Sequence, residues 1–153
     1  MSTRIVGNCS LRSKTPDLYR MPEVEFIDYF QAGVEPTFIA LIADHMRTTR
    51  KHLQQYLQIS PTTIRRKKSK SVNLDIYQSE RLAGLKRLID KVQAIVEDSG
   101  DPNGFDAAEW LGRWIERPLP ALGGRKPADY LCTVSGQTLL SNLLDQMRCG
   151  VYV

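Results

Sequence analysis

The chain has 153 residues, of which 42% are hydrophobic and 25% charged, so it can form one compact domain or two small ones that share a core. No run of about 18 apolar residues occurs, which excludes a membrane-spanning helix, and the N-terminus lacks the apolar stretch of a signal peptide. Cys9, Cys132 and Cys149 are odd in number and widely spaced, as is typical of reduced thiols. We therefore expect a protein of a reducing compartment.

The net charge of +4 is unevenly distributed along the chain. Residues 1–72 carry 12 basic and 6 acidic side chains, a net charge of +6, whereas residues 73–153 carry 9 and 11, a net charge of −2. Between Asp44 and Asp75 there are eight basic residues and no acidic one. A solvated lysine-rich face is a common reason for such a span. The complete absence of acids nevertheless favours a polyanionic partner, and we expect nucleic acid.

The first elements in chain order are an arm and two short helices. Residues 1–21 are polar, basic and aperiodic, and we expect them to form a flexible arm. Pro22 suits the first turn of a helix that ends at Gly33. A second helix is predicted from about Pro36 to His45.

A helix-turn-helix is predicted next, with its turn at Gln58. The helix before the turn begins after Thr48 or Thr49 as N-cap, and the helix after it begins with Ser60 as N-cap and Pro61 in its first turn. Apolar residues that face the core bracket the turn: Leu53, Leu57, Ile59 and Ile64. The match is partial, because glutamine replaces the usual turn glycine. The spacing indicates that the second helix enters the major groove of DNA.

Nine residues of this domain, which spans residues 22–72, are predicted to contact DNA: Arg50, Lys51, Thr62, Thr63, Arg65, Arg66, Lys67, Lys68 and Lys70. The threonine hydroxyls can reach base edges or phosphates at the start of the second helix. Arg65 and Arg66 suit either bidentate reading of guanine or phosphate binding. The lysines are expected to position the protein on phosphates without reading sequence.

The longest helical pattern follows, from Asn73 to Glu97. Asn73 is the predicted N-cap, with Asp75 in the first turn. Apolar residues recur in steps of three and four and form a wide stripe, which is typical of a core helix. We expect residues 73–100 to form a central helix that links two halves and adds to a dimer interface.

Residues 101–153 are predicted to contain two more helices. The first spans Phe105 to Ile115, and its two tryptophans form one apolar ridge. The last runs from about Gly136 to Arg148. Its predicted N-cap is Thr133 or Ser135, and Gly150 follows as C-terminal cap. No strand pattern appears in the sequence, so the predicted fold class is all-α.

A segment rich in proline and glycine separates these two helices. Its order is Pro118, Pro120, Gly123, Gly124 and Pro127, which predicts a rigid loop, a tight turn and a helix start. The segment is constrained but contains no pair of catalytic side chains. It therefore indicates a surface that fits another protein.

The sequence gives little support for an enzyme. His45 and His52 have no glutamate or cysteine at metal-ligand spacing, and the cysteines form no CxxC motif. The Ser135-Gly136 pair is not a nucleophile elbow, and the double glycine lacks the flanking residues of a phosphate loop. We expect no enzymatic activity, no cofactor and no metal.

The C-terminal part resembles the toxin-binding domain of Xre/ParS-type antitoxins, which neutralise RES-domain toxins in bacterial toxin–antitoxin pairs. The family pattern has a Trp-Leu-x-x-Pro-Asn-x-Ala-Leu-Gly-Gly-x-x-Pro loop, a Leu-x-Thr-x-x-Gly step and a final Gly-Val-Tyr. The matching residues are Trp114, Pro118, Ala121, Leu122, Gly123, Gly124, Pro127, Leu131, Thr133, Gly136, Gly150, Val151 and Tyr152. Ser79-Glu80-Arg81-Leu82 also looks like the family's central helix. The resemblance covers residues 50–153, and Leu119 replaces the usual asparagine.

The resemblance implies an Xre/Cro-like helix-turn-helix bundle joined by a long central helix to a C-terminal helical toxin-binding and dimerisation domain. The implied partner is a RES-type toxin that degrades NAD in the bacterial cytoplasm and whose active site the antitoxin occludes. The residues assigned to toxin binding are Pro118, Leu122, Gly123, Gly124, Arg125, Lys126, Arg148, Gly150, Val151, Tyr152 and Val153. A homodimer on palindromic operator DNA is expected to regulate its own transcription, because a single helix-turn-helix makes too few contacts.

Three alternatives remain open at this point. Val151 and Tyr152 either fill the toxin cleft or only hold the last helix to the core. The chain can also be a stand-alone dimeric repressor without a toxin, although this leaves the proline–glycine loop unexplained. In a third alternative, DNA binding has been lost and only toxin binding remains.

Overall fold

The fold is entirely helical, as the sequence predicts, and a computed structural model describes residues 11–150. These residues form no strand and show one isolated β-bridge, between Leu119 and Arg125. The helices are α1 (Leu11–Lys14), α2 (Glu23–Gln31), α3 (Phe38–His45), α4 (Arg50–Leu57), α5 (Pro61–Ser69), α6 (Ile76–Ser99), α7 (Ala107–Trp114) and α8 (Val134–Arg148). Single turns of 3₁₀-helix span Pro120–Leu122 and Pro127–Tyr130.

The predicted helix-turn-helix is formed by α4 and α5. Thr49, one of the two candidate caps, accepts a hydrogen bond from the backbone N–H of His52 (3.1 Å). Ser60 and Pro61 occupy the predicted first positions of α5, although the Ser60 side chain makes no capping hydrogen bond. Gln58 adopts a left-handed conformation (φ 51°, ψ 48°), which favours glycine. The turn thus has the backbone geometry for which glycine is usual.

The N-cap of α6 differs from the sequence prediction. Asp75 accepts a hydrogen bond from the N–H of Gln78 (2.8 Å), and the Gln78 side chain accepts one from the N–H of Asp75 (3.3 Å). These two bonds form a capping box. The predicted N-cap, Asn73, was wrong: its amide donates to the carbonyl oxygen of Gly33 (3.1 Å) after α2. Both residue types cap helices well, and a contact distant in sequence decided between them.

One hydrophobic core extends through both halves of the chain. Leu53 of α4, Leu85 of α6 and Leu111 of α7 are all fully buried in it. α7 also lies close to the end of α3, because a Cβ atom on Gly112 would stand 2.2 Å from the carbonyl oxygen of Met46. The two halves therefore pack on α6 and directly on each other.

Residues 16–20 pack against α6, although the sequence indicated a flexible arm there. Leu18 is fully buried, and its N–H donates to Asp90 Oδ2 (2.8 Å). The buried Lys86 Nζ donates to the carbonyl oxygen of Pro16 (2.9 Å) and to Asp90. The expectation of a flexible arm does not hold for these residues, and residues 1–10 lie outside the described part of the chain.

The last helices begin at side-chain caps. Asp106 accepts a hydrogen bond from the N–H of Glu109 (3.0 Å), so α7 starts at Ala107, two residues after the predicted start. Thr133, one of the two predicted caps of α8, accepts a hydrogen bond from the N–H of Gly136 (3.0 Å). These caps place the proline–glycine segment between the end of α7 and the start of α8.

Candidate functional site

The nine residues predicted to contact DNA lie on α4 and α5 or directly after α5. Seven of their side chains are exposed: Arg50, Lys51, Thr62, Arg65, Arg66, Lys68 and Lys70. Thr63 and Lys67 are partly buried, and Lys67 Nζ donates to the carbonyl oxygen of Asn73 (3.1 Å). Lys67 therefore helps to hold the connection between α5 and α6. The other basic residues leave a cationic surface on the helix-turn-helix.

The Pro–Gly loop, residues 118–127, is closed on itself by backbone hydrogen bonds. The Leu119 N–H donates to the Arg125 carbonyl oxygen (3.0 Å), and the Gly124 N–H donates to the Leu119 carbonyl oxygen (2.9 Å). Gly123 and Gly124 have φ angles of 65° and 80°. A Cβ atom at either position would meet no atom within 4 Å, so the backbone conformation is what requires glycine here.

The side chains of the Pro–Gly loop divide into an exposed set and a buried one. Five of the predicted toxin contacts are exposed: Pro118, Gly123, Gly124, Arg125 and Lys126. Leu122 is only 8% exposed and belongs to the hydrophobic core, next to the buried Leu119. Leu122 therefore supports the loop from beneath and offers a partner little surface, which differs from its predicted role as a contact.

The remaining predicted toxin contacts are at the end of the chain. Arg148 and Gly150 are exposed at the C-terminal end of α8. Arg148 borders an apolar groove of about 300 Å³, to which α6 contributes Ile95 and α7 contributes Trp110. The predicted contacts Val151, Tyr152 and Val153 lie outside the described residues.

A hydrogen-bonded network connects the helix-turn-helix to the Pro–Gly loop. Tyr56 Oη on α4 donates to Oε1 of Glu116, which follows α7, and Lys126 Nζ donates to Oε2 of the same carboxylate (3.3 Å). Burial, together with the hydrogen bond to Glu116, raises the pKa of Tyr56 to about 12. The Tyr56 hydroxyl, reinforced by Lys126, lowers the pKa of Glu116. At neutral pH the network is therefore an anion held between a neutral phenol and a cation.

Sequence analysis missed this network. It placed Tyr56 on the apolar face of α4 and gave Glu116 no role. A tyrosine on a buried face usually needs a partner for its hydroxyl, and that is the one signal the sequence contains. The partner is 60 residues away, and helical periodicity cannot identify it.

The two histidines take part in helix packing. The His52 ring stacks on the Tyr56 ring, with centroids 6.2 Å apart, and His45 lies in the last turn of α3. Among residues 11–150, no three His, Cys, Asp or Glu side chains are grouped as ligands of a metal ion. Over the same residues, no helix combines the length and apolar character needed to cross a membrane.

Comparison with known proteins gives matches over both halves of the chain. Residues 25–87 match the family described as the antitoxin Xre-like helix-turn-helix domain. Residues 92–150 match the antitoxin Xre/MbcA/ParS C-terminal toxin-binding domain. The chain is also similar to the Prs ADP-ribosylating antitoxin of Sphingobium sp. (strain YBL2). The two are 35% identical over 135 residues, which cover 88% of this chain and 85% of that protein.

Proposed function

Because the chain belongs to the Xre/MbcA/ParS antitoxin family, we propose that it neutralises a RES-type toxin that degrades NAD, by occluding the active site of that toxin. The observation that carries the proposal is the closed, exposed Pro–Gly loop within the matched toxin-binding domain. A loop ordered by its own hydrogen bonds loses little conformational entropy when a partner binds. The name of the Sphingobium relative refers to ADP-ribosylation, a reaction that consumes NAD. A toxin cleft that holds NAD fits both descriptions.

Co-expression with the neighbouring gene product tests the toxin partner. Growth, cellular NAD and co-purification with the tagged chain are measured together. We expect the neighbour alone to deplete NAD and stop growth, and this chain to restore both while co-purifying with it. If no partner co-purifies and NAD never falls, the toxin is rejected and the alternative of a stand-alone dimeric repressor remains.

The loop and the end of α8 are proposed to contribute separately to neutralisation. Deletion of residues 150–153 is expected to release toxicity, because the proposed plug of the cleft is lost. The double substitution Arg125→Ala and Lys126→Ala is expected to weaken toxin binding through the loop. Asn142→Ala, at an exposed position of α8, is the matched control. Full neutralisation by the deletion variant would assign the tail to the packing of α8 instead.

We also propose that the helix-turn-helix binds palindromic operator DNA as a homodimer and thereby regulates transcription of the chain's own gene. The exposed cationic surface of α4 and α5 supports this proposal. The double substitution Arg65→Ala and Arg66→Ala is expected to abolish operator binding and to leave neutralisation intact. Arg113→Ala removes an exposed arginine outside the helix-turn-helix and serves as control. Unchanged operator affinity of the double variant would show that α5 is not the recognition helix.

A further inference from the structure

The network of Tyr56, Glu116 and Lys126 extends between the two surfaces proposed to bind different macromolecules. Lys126 is an exposed residue of the Pro–Gly loop. Tyr56 lies on α4, whose first turn carries the exposed Arg50 and Lys51. Glu116 accepts a hydrogen bond from each side, so a single carboxylate joins the loop to the DNA-binding helix.

The surroundings of this network are closely packed. The N–H of Ala128 donates to the carbonyl oxygen of Ile115 (3.0 Å), which fixes the end of the loop beside Glu116. Leu53 and Leu57 anchor α4 in the shared core, and both are fully buried. Packed interiors have few voids and transmit displacements instead of absorbing them. A shift of the loop therefore reaches α4 through the core and through the carboxylate.

We infer that Tyr56, Glu116 and Lys126 couple the two surfaces, so that toxin bound at the loop weakens operator binding by the same copy of the chain. The inference rests on the proposed function, because it requires both partners. A toxin carboxylate or carbonyl oxygen that takes Lys126 removes one of the two partners of Glu116. The carboxylate then no longer holds α4 in position against the loop. Arg50 and Lys51 lose their preorganised placement, and DNA binding has to restore it at a cost in affinity.

The experiment uses the full chain, the purified neighbouring toxin and a fluorescent duplex with one half of the palindrome upstream of the chain's own gene. A half-site excludes effects of toxin that bridges two copies on DNA. Anisotropy titrations at fixed salt give half-site affinity with and without saturating toxin. We expect toxin to weaken wild-type binding at least about fivefold, the lower end of common coupling factors.

The variant Tyr56→Phe removes the hydroxyl that joins α4 to Glu116. Its affinity for the half-site without toxin is expected to equal that of the toxin-bound wild type, and toxin is expected to change it less than about twofold. Tyr77→Phe removes an exposed tyrosine hydroxyl on α6 and is expected to behave as wild type. Coupling between sites is reciprocal, so the half-site must weaken toxin binding to wild type by the same factor, and must not do so for Tyr56→Phe.

The outcomes separate the inference from the proposed function. A wild-type chain that binds neither toxin nor DNA contradicts the proposed function itself. A chain that binds both with independent affinities overturns the coupling and leaves the function intact. A wild-type fold-change that persists in Tyr56→Phe also overturns it, since the network then carries none of the effect. Circular dichroism and thermal unfolding of each variant confirm that the compared proteins are folded.

Discussion

Lys86 and Asp90 form a buried ion pair one turn apart on α6, with Nζ and Oδ2 separated by 2.5 Å. Burial raises the pKa of Asp90, although the neighbouring Lys86 opposes this shift. Loss of one partner leaves the other charge buried without its counterion. We therefore expect Lys86→Met to lower the free energy of unfolding by about 3–5 kcal/mol.

The double variant Lys86→Met with Asp90→Leu serves as the control for this prediction. Replacement of both charges by apolar side chains removes the uncompensated charge, so most of the lost stability is expected to return. Urea unfolding of the wild type and both variants gives the three free energies. A double variant as unstable as Lys86→Met would show that the cost arises from packing or from the contact with Pro16.

The turn residue Gln58 gives a prediction of opposite sign. Its φ of 51° strains any side chain with a Cβ atom, whereas glycine adopts this conformation freely. Gln58→Gly is expected to raise the free energy of unfolding by about 0.5–1 kcal/mol, and Gln58→Ala, which keeps the strain, is expected not to. Equal stabilities of the two variants, measured by urea unfolding, would mean that the turn stores no strain.

At the level of helices, the capping box of α6 separates two candidate caps that the sequence could not distinguish. Asp75→Ala removes an acceptor for a backbone N–H of the first turn and is expected to cost about 1 kcal/mol of stability. Asn73→Ala removes only an exposed contact with the carbonyl oxygen of Gly33 and is expected to cost less. Thermal unfolding of both variants tests the order, and a larger loss for Asn73→Ala would reverse the assignment.

Helix starts were predicted from local signals and failed where a distant contact competes. Thr49 and Thr133 cap as expected, because a cap depends only on residues of the first turn. The pattern could not place Leu122 in the core or Leu18 against α6, since burial depends on which segments meet. The Tyr56–Glu116 hydrogen bond was missed for the same reason. Family resemblance located the loop, but its closed backbone emerged only from the structure.

At the scale of the whole molecule, the two matched family regions meet inside α6 but share one core. Such a core predicts that the helix-turn-helix and the toxin-binding half unfold together. Leu57 of α4 is fully buried in this core, and Leu57→Ala is expected to cost about 2–5 kcal/mol. The two tryptophans of the chain, Trp110 and Trp114, both lie on α7 and report on the other half.

Urea unfolding followed by tryptophan fluorescence and by circular dichroism measures this cooperativity. We expect Leu57→Ala to lower both midpoints equally, because coincident transitions are the mark of a two-state protein. Leu144→Ala, a buried leucine of α8, provides the reciprocal comparison from the toxin-binding half. A fluorescence midpoint unchanged by Leu57→Ala would mean that the halves unfold independently. The shared core would then transmit nothing between the loop and α4, and only the Tyr56–Glu116–Lys126 network would remain to couple them.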